Sequence, residues 1–171
     1  MALFGFGSTN TIEFDNDFHR EFWSEFRGYL EQHENSLKPY ENLFDPINNS
    51  DSIHSYSGLD FGTHIRESLW LIGWIWPERS QIAAKLRIAS SQESLFQRLK
   101  DDQDSIQEHF GETRFTWDKP PRFSIGVYQY NVDFTDYANR DNLFEWLHIN
   151  LEKIEQVFIN KFAEYFLDTF R

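Results

Sequence analysis

The sequence predicts an α+β fold, in which an antiparallel sheet of about five strands packs against three helices in the order α-β-β-β-α-β-β-α. Three observations predict this class. Apolar residues recur at helical spacing in three segments, they alternate or run continuously in shorter segments between these, and short turns join neighbouring strands. Because 171 residues is the length of one domain, we expect residues 1–171 to form a single α+β domain, with 1–12 as a flexible or loosely packed N-terminal segment.

The first helix is predicted from Phe14 onward. Its apolar face consists of residues that recur every fourth position, with one tryptophan beside them: Phe18, Phe22, Trp23, Phe26 and Leu30. Charged residues occupy the other side, as in an amphipathic helix. Asp15, Asn16 or Asp17 can cap its N-terminus. The helix is expected to end before Pro39, because proline breaks a helix.

Three strands are predicted next. Tyr56–Phe61 is the weakest candidate, Leu69–Trp76 is apolar at every position, and Ile82–Ile88 alternates in the pattern of a half-buried strand. Pro77–Ser80 lies between the last two strands and predicts a four-residue hairpin loop. Pro77 suits the second position of a type I turn. Residues 69–88 are therefore predicted to form a β-hairpin.

A second helix is predicted from Ser90 to Gly111. Ser90 and Glu93 have the spacing of a capping box, in which each side chain satisfies the free backbone N–H of the other residue. The apolar stripe of this helix consists of Leu95, Leu99, Ile106 and Phe110. Gly111 is suited to end the helix, because glycine readily adopts the backbone conformation found there.

Two more strands and a long helix complete the prediction. The strands are Arg114–Trp117 and Phe123–Tyr130, and Pro120 and Pro121 separate them. The helix runs from about Asn139 towards the C-terminus. Its apolar residues, spaced by threes and fours, are Leu143, Leu147, Leu151, Ile154, Phe158, Phe162 and Tyr165.

The predicted hairpin divides its side chains between two faces. With a four-residue loop, Trp76 opposes Gln81, Trp74 opposes Ala83, Ile72 opposes Lys85 and Trp70 opposes Arg87. The other face is purely apolar and is expected to be core: Leu71, Gly73, Ile75, Ile82, Ala84 and Leu86. The first face, called the tryptophan face below, contains the candidate partner- or ligand-binding residues Trp70, Trp74, Trp76, Lys85 and Arg87.

The tryptophan face has three interpretations. Aromatic rings that stack on bases, with cations that hold phosphates, are typical of proteins that bind single-stranded nucleic acid. Tryptophan is also an anchor residue of protein interfaces. In the third interpretation another helix covers the tryptophans, and Lys85 and Arg87 extend along them to water, because large exposed apolar patches are uncommon on monomers.

The charge of the chain bears on its partners. It has 28 acidic and 16 basic residues and a formal net charge of −12, which disfavours nucleic-acid binding by the whole surface because that affinity depends on Lys and Arg. Residues 1–60 hold 11 acidic and three basic residues. The region that contains the hairpin is closer to neutral, so a local nucleic-acid site there stays an alternative. In a further alternative, the acidic N-terminal part imitates nucleic acid and occupies a DNA-binding protein.

The residue patterns of common enzymes are missing. The chain has no cysteine, which excludes disulfides, thiolate metal sites and cysteine nucleophiles. No acidic residue stands two positions before a lysine, as a nuclease metal site would require. No phosphate-binding loop, paired-histidine zinc motif or nucleophile elbow occurs. We therefore predict no catalytic residues, no metal site and no cofactor, and expect that the chain is not an enzyme.

The apolar segments also bear on localisation. The longest of them, Leu69–Trp76, is much shorter than the roughly 18 residues that suggest a membrane span. Residues 1–10 lack the basic start and the apolar length of a signal peptide. We therefore expect no membrane association and a cytoplasmic location.

Several segments follow one another at distinctive spacings. They are Phe22-Trp23-Ser24-Glu25-Phe26, the hairpin Leu69–Ile88, Phe96 and Leu99 leading to Ile106, Phe110-Gly111, Phe115 with Trp117, and Trp146-Leu147. In this order they resemble a prokaryotic family known only as a domain of unknown function, over most of the chain from about Phe14 onward. Where that family tends to have Glu after the isoleucine of the second helix, this chain has Gln107.

The resemblance implies a functional context. Members of the family often lie C-terminal to restriction-endonuclease-like nuclease domains, which implies an accessory domain in a defence or nucleic-acid-processing system. The resemblance transfers no catalytic residue. Together with the hairpin, it favours a non-catalytic interaction domain that binds a protein partner, or itself, through an aromatic surface. The first alternative, a reader of single-stranded nucleic acid, predicts that binding is lost when Lys85 and Arg87 are replaced by Glu.

Overall fold

A computed structural model describes residues 16–33, 37, 61–66, 69–118 and 123–161 of the chain. Within these residues an antiparallel sheet of five strands packs against helices, which confirms the predicted α+β class. The helices are α1 (Asn16–Gln32), α2 (Glu93–Asp101), α3 (Gln103–Phe110) and α4 (Arg140–Glu155). The strands are β1 (Phe61–Arg66), β2 (Leu69–Trp76), β3 (Gln81–Ile88), β4 (Thr116–Asp118) and β5 (Phe123–Tyr130), in the spatial order β1-β2-β3-β5-β4.

Some predictions concern residues outside this part of the chain. They are the N-terminal segment 1–12, Phe14, Asp15, Pro39, the strand residues 56–60, Pro120, Pro121, Phe162 and Tyr165. These stay predictions. Of the helices that the structure describes, none is long and apolar enough to cross a membrane.

Helix α1 forms where the repeat of aromatic residues predicted it. All five residues of the predicted apolar face are buried. The ring of Phe22 meets those of Trp23 and Phe144 edge-on, at centroid distances of 5.0 and 5.2 Å. Such pairs contribute about 0.5–1.5 kcal/mol each beyond the burial of their area, and the pair of Phe22 with Phe144 fastens α1 to α4. The helix ends at Gln32, ahead of Pro39 as predicted.

The β2–β3 hairpin has the predicted register. All four predicted pairs are present, from Trp76 opposite Gln81 next to the loop to Trp70 opposite Arg87 at the far end. The loop is a single 3-10 turn, Pro77–Arg79, and Ser80 closes it in the left-handed conformation (φ 53°, ψ 46°). The apolar face is buried along both strands. The tryptophans therefore point away from the core.

The described strand upstream of the hairpin overlaps the predicted one only at Phe61, because residues 56–60 lie outside the described part of the chain. β1 begins at Phe61, where the predicted strand ended, and it pairs antiparallel with β2. A bulge interrupts its register between His64 and Arg66. Its sequence, FGTHIR, shows no clear alternation of polar and apolar residues. An edge strand can form by pairing its backbone with a strong neighbour, so periodicity alone did not locate it.

The second predicted helix is two helices. A 3-10 turn, Ser90–Gln92, precedes α2, and Asp102 separates α2 from α3 with a non-helical backbone (φ −97°, ψ 18°). Aspartate favours such breaks because its carboxylate competes for nearby backbone groups. The predicted capping box is wrong, since Gln92 stands at the N-cap of α2 and makes no side-chain cap hydrogen bond. The predicted stripe is buried across both helices, and Gly111 (φ 64°) ends α3 as predicted.

Helix α4 begins one residue after the predicted start at Asn139. Asp136 accepts a hydrogen bond from the backbone N–H of Ala138 at 3.1 Å and so caps the 3-10 turn that leads into the helix. The predicted apolar residues up to Phe158 are buried, and Gln156–Lys161 continues the helix as a π-helical segment. The described part of the chain thus has four helices where the sequence predicted three, because the second one is broken.

The helices lie on one side of the sheet. Helix α4 packs across β2 and β3, and the buried residues of all four described helices form one core with the apolar face of the hairpin. None of these helices covers the tryptophan face. The interpretation in which a helix lies over the tryptophans therefore fails for the described part of the chain.

A partly buried ion pair joins α1 to the start of α4, with Arg140 buried and the side chain of Glu25 39% exposed. The guanidinium of Arg140, whose side chain is only 6% exposed, donates to Glu25 at 2.7 Å. It also donates to the carbonyl of Phe134 at 3.5 Å and lies 4.5 Å from the centre of the Tyr137 ring. A buried charge is costly unless it is paired. The pairing with Glu25 therefore lowers the free-energy cost of burying the Arg140 guanidinium between the two helices.

We predict that Glu25→Gln lowers the free energy of unfolding by about 1–3 kcal/mol, because it removes the charge that pairs with a buried guanidinium while Glu25 itself is partly exposed to water. Urea denaturation measures this change. The control is Glu31→Gln, which removes the carboxylate of the exposed pair between Arg27 and Glu31 (3.2 Å) and should change stability by less than about 0.5 kcal/mol. Equal effects of the two variants would contradict the stabilising role of the pair between Glu25 and Arg140.

Candidate functional site

The structure brings the five predicted site residues onto one side of β2 and β3. Trp70, Trp74, Trp76 and Lys85 are half-buried, and Arg87 is exposed. The rings of Trp74 and Trp76 meet edge-on at 5.6 Å. Trp70 lies at the far end of β2, opposite Arg87. The predicted residues therefore share one surface, and Trp74 and Lys85 lie at its centre.

Strand β5 extends the tryptophan face with residues that the sequence analysis did not assign to a site. Its register with β3 places Ser124 beside Arg87, Gly126 beside Lys85, Tyr128 beside Ala83 and Tyr130 beside Gln81. Strand β4 adds Thr116 and Asp118 at the edge. The alternation within β5 is visible in the sequence. Its register against β3 is not, because no short loop joins these two strands.

Asp118 is the centre of a polar cluster on this face. Its Oδ2 accepts hydrogen bonds from the hydroxyl groups of Ser124 and Tyr128, both at 2.6 Å, and lies 3.5 Å from Nζ of Lys85. The side chains of Lys85 and Asp118 are 15% and 31% exposed. Hydrogen bonds to an ionised group are stronger than those between neutral groups. Asp118 therefore holds three neighbouring side chains in fixed positions.

The ammonium group of Lys85 also contacts two aromatic rings. Nζ lies 4.3 Å from the centre of the Trp74 ring and 4.5 Å from that of Tyr128. These rings meet edge-on at 6.3 Å. The faces of aromatic rings attract cations, so the charge of Lys85 interacts with a carboxylate and two rings. The interpretation in which Lys85 extends to water is wrong, because its side chain ends within this cluster.

Gly126 makes room for the stem of Lys85. A Cβ added at Gly126 would lie 2.7 Å from the carbonyl oxygen of Ala84 and 2.8 Å from Cγ of Lys85. Both distances are shorter than Cβ atoms show in proteins. A larger residue would therefore displace either strand β3 or the Lys85 side chain, which here crosses β5 to reach Asp118.

Burial and Asp118 raise the pKa of Tyr128 well above its ordinary value of 10.0. Burial is the larger cause, and the hydrogen bond to the carboxylate of Asp118 is the second. A phenolate at this position would be poorly hydrated and would lie beside a negative charge. Tyr128 therefore acts as a hydrogen-bond donor and is unsuited to accept a proton as a base.

The cluster around Asp118 is suited to a structural role, because its polar side chains bond to one another. Ser124 is only 5% exposed, and its hydroxyl donates to a carboxylate that Lys85 and Tyr128 already stabilise. A nucleophilic serine needs a strong neighbouring base and access to substrate. Within the described residues, no group of three or more His, Asp or Glu side chains lies close enough together to hold a metal ion.

We predict that Tyr128→Phe reduces the loss of stability at high pH. The pKa of Tyr128 is higher in the folded than in the unfolded chain, so above pH 10.0 the unfolded state loses its proton first. The free energy of unfolding therefore falls from there upward, whereas below that pH this contribution is constant. Urea unfolding from neutral pH to about pH 12 measures the decline.

The control for this variant is Tyr130→Phe, at a position of the same strand that is 55% exposed. It should keep the decline of the wild type, whereas Tyr128→Phe should show a shallower one. A decline in Tyr128→Phe as steep as that of the wild type would contradict the role of this tyrosine as a buried, neutral donor.

One protein family matches most of this chain. The model of a family described as a domain of unknown function (DUF4268) matches residues 18–161, a span that includes α1 from Phe18 onward, the hairpin, the Asp118 cluster and α4. Comparisons with curated proteins and with solved structures found no match. The family match confirms the predicted membership of a family of domains of unknown function. The chain belongs to the DUF4268 family.

Proposed function

We propose that this chain is a non-catalytic interaction domain, which binds a protein partner or a second copy of itself through the tryptophan face. The proposal depends on one observation above all: Lys85 is held by Asp118, Trp74 and Tyr128. The face therefore presents aromatic rings in fixed positions, with the charge of its central lysine already paired. Rigid aromatic side chains lose little conformational freedom on binding, and Trp and Tyr are enriched at the energetic centres of protein interfaces.

The surroundings of these rings support the same proposal. The guanidinium of Arg79 stacks 3.9 Å above the Trp76 ring. Tyr130 is 55% exposed, and its ring lies parallel to that of Tyr128 at 6.1 Å. Arg87 is exposed. Aromatic rings surrounded by polar, solvent-accessible groups are the usual anatomy of a protein interface.

The resemblance noted in the sequence suggests where such a partner is found. We propose a partner within a defence or nucleic-acid-processing system, where a nuclease-like domain is the first class to test. Proteins that bind nucleic acid carry basic surfaces. The net charge of −12 is complementary to such a surface and would steer the encounter.

A reader of single-stranded nucleic acid is the second candidate function. The stacking of Arg79 on Trp76 favours it, because rings beside cations also bind single strands. Two observations weigh against it. Lys85, which this function would need for phosphate, is paired with Asp118, and the acidic net charge repels the phosphate backbone.

The double replacement of Trp76 and Tyr130 by Gln tests the proposed interface. Both side chains lie on the tryptophan face, outside the main core, so we expect the variant to fold and to lose binding. The control is Ile149→Gln, which removes an apolar side chain that is 54% exposed on α4. Binding to a purified nuclease-like domain from the same genome and the mass of the chain in solution are measured for all three proteins. We expect the control to match the wild type.

Unchanged binding and unchanged mass in the double variant would contradict the proposed interface. The second candidate has its own test, which is titration with single-stranded DNA at several salt concentrations. Steeply salt-dependent binding that disappears in the combined Arg79→Glu and Arg87→Glu variant would favour the nucleic-acid reader. The test changes Arg79 and Arg87 and leaves Lys85 in place, because Lys85→Glu would place a second carboxylate beside Asp118 and disturb the folded structure.

A further inference from the structure

A second surface lies on the helical side of the sheet, where α1 meets the start of α4. A groove of about 720 Å³ runs between them. Its lining includes Gly28, Tyr29, Tyr137, Asp141 and Glu145. No residue of the tryptophan face lines it. The two surfaces are therefore separate, with the sheet and α4 between them.

Gly28 keeps the groove open. A Cβ added at this position would have nothing within 4 Å, and the backbone there does not have the positive φ that requires glycine. Gly28 lies in the interior of α1, where glycine is less favourable than alanine. Neither close packing nor backbone geometry in this chain accounts for the glycine. The position of Gly28 leaves open space beside the helix.

The groove has an excess of negative charge. Glu25 and Arg140 both line it and neutralise each other as an ion pair at 2.7 Å. Asp141 and Glu145, which are exposed on α4 one turn apart, provide the remaining negative charge. Burial first, and then these two carboxylates, raise the pKa of Tyr29. Their negative potential therefore extends to the aromatic wall of the groove.

Two tyrosines form the aromatic walls. The ring of Tyr29 stacks on the imidazole of His33 with a centroid distance of 3.9 Å and an interplanar angle of 19°. Nδ1 of His33 lies 2.7 Å from the carbonyl oxygen of Tyr29, which fixes the pair. Tyr137 is 52% exposed. Aromatic faces next to carboxylates are the surroundings in which proteins bind ammonium and guanidinium groups.

We propose that this groove binds a basic peptide segment of a protein partner, whose Lys or Arg side chain lies beside Gly28 with its charge next to Asp141 and Glu145. An anionic ligand would be repelled by these carboxylates, and an apolar one would gain no attraction from them. Because the tryptophan face lies on the opposite side of the sheet, the domain has two docking surfaces and can bridge two partners. The groove does not depend on the proposed function of the tryptophan face.

A phage-displayed library of random peptides, selected on the full chain, tests the groove. Soluble Gly28→Leu chain in excess removes peptides that bind elsewhere, because this variant fills the groove. We expect the remaining peptides to be enriched in Lys and Arg and to bind the wild type at least about ten-fold more tightly than Gly28→Leu. Recovery of no groove-dependent peptide, or of peptides without basic residues, would overturn the proposal.

Matched variants separate binding from folding. A Cβ at position 28 meets nothing within 4 Å, and glycine is less favourable than leucine inside a helix, so the melting temperature of Gly28→Leu should not fall below that of the wild type. Ser24→Leu adds the same side chain at an exposed position of α1 that does not line the groove, and it should leave peptide affinity unchanged. Loss of affinity in Ser24→Leu equal to that in Gly28→Leu would overturn the assignment.

A separate variant tests the role of the Asp141 and Glu145 carboxylates in binding. The combined Asp141→Asn and Glu145→Gln chain should bind the selected peptides about ten-fold less tightly, and the salt dependence of binding should become weaker. Unchanged affinity would overturn the assigned role of these two residues. The Trp76 and Tyr130 double variant should bind the same peptides normally, so failure of the groove and failure of the tryptophan face give different results.

Discussion

The register of the β2–β3 hairpin is the constraint on which the rest of the structure depends. Side chains of a strand alternate between two faces, so a shift of one residue would exchange all of them. The 3-10 turn and the left-handed backbone of Ser80 fix the loop at four residues. This register turns Leu71 and Ile82 towards the helices and Trp74 and Lys85 away from them. The core and the tryptophan face are thus two consequences of one turn.

Two cation–carboxylate pairs organise the two surfaces in the same way. Lys85 pairs with Asp118 of β4, and Arg140 pairs with Glu25 of α1, so each pair joins elements that are distant in sequence. In each pair the cation also lies against aromatic rings. Lys85 contacts the rings of Trp74 and Tyr128, and Arg140 contacts that of Tyr137. These charges therefore position the walls of a surface. In the proposed docking surfaces, the residues that would contact a partner are the aromatic rings and the carboxylates at the rim.

Features that depend on local sequence patterns could be predicted, and features that depend on contacts between distant segments could not. The hairpin, its register and the buried faces of α1 and α4 follow from local spacing, and the structure confirms them. The Asp118 cluster and the groove could not be predicted, because each depends on how segments far apart in the chain pack together. The break at Asp102 and the failed capping box at Ser90 are local departures from the predicted single helix, in which a 3-10 turn takes the place of the capping box and a non-helical residue divides the helix.

Hydroxyl-radical footprinting of the free chain, with its mass measured by light scattering on the same sample, tests most directly whether the tryptophan face is open. In a sample with the mass of one chain, we predict that Trp70, Trp74 and Trp76 are oxidised much faster than Trp23, which is 2% exposed in the core. Oxidation of these three tryptophans as slowly as Trp23 in a single chain would contradict the proposed interface, because another part of the same chain would then cover the face.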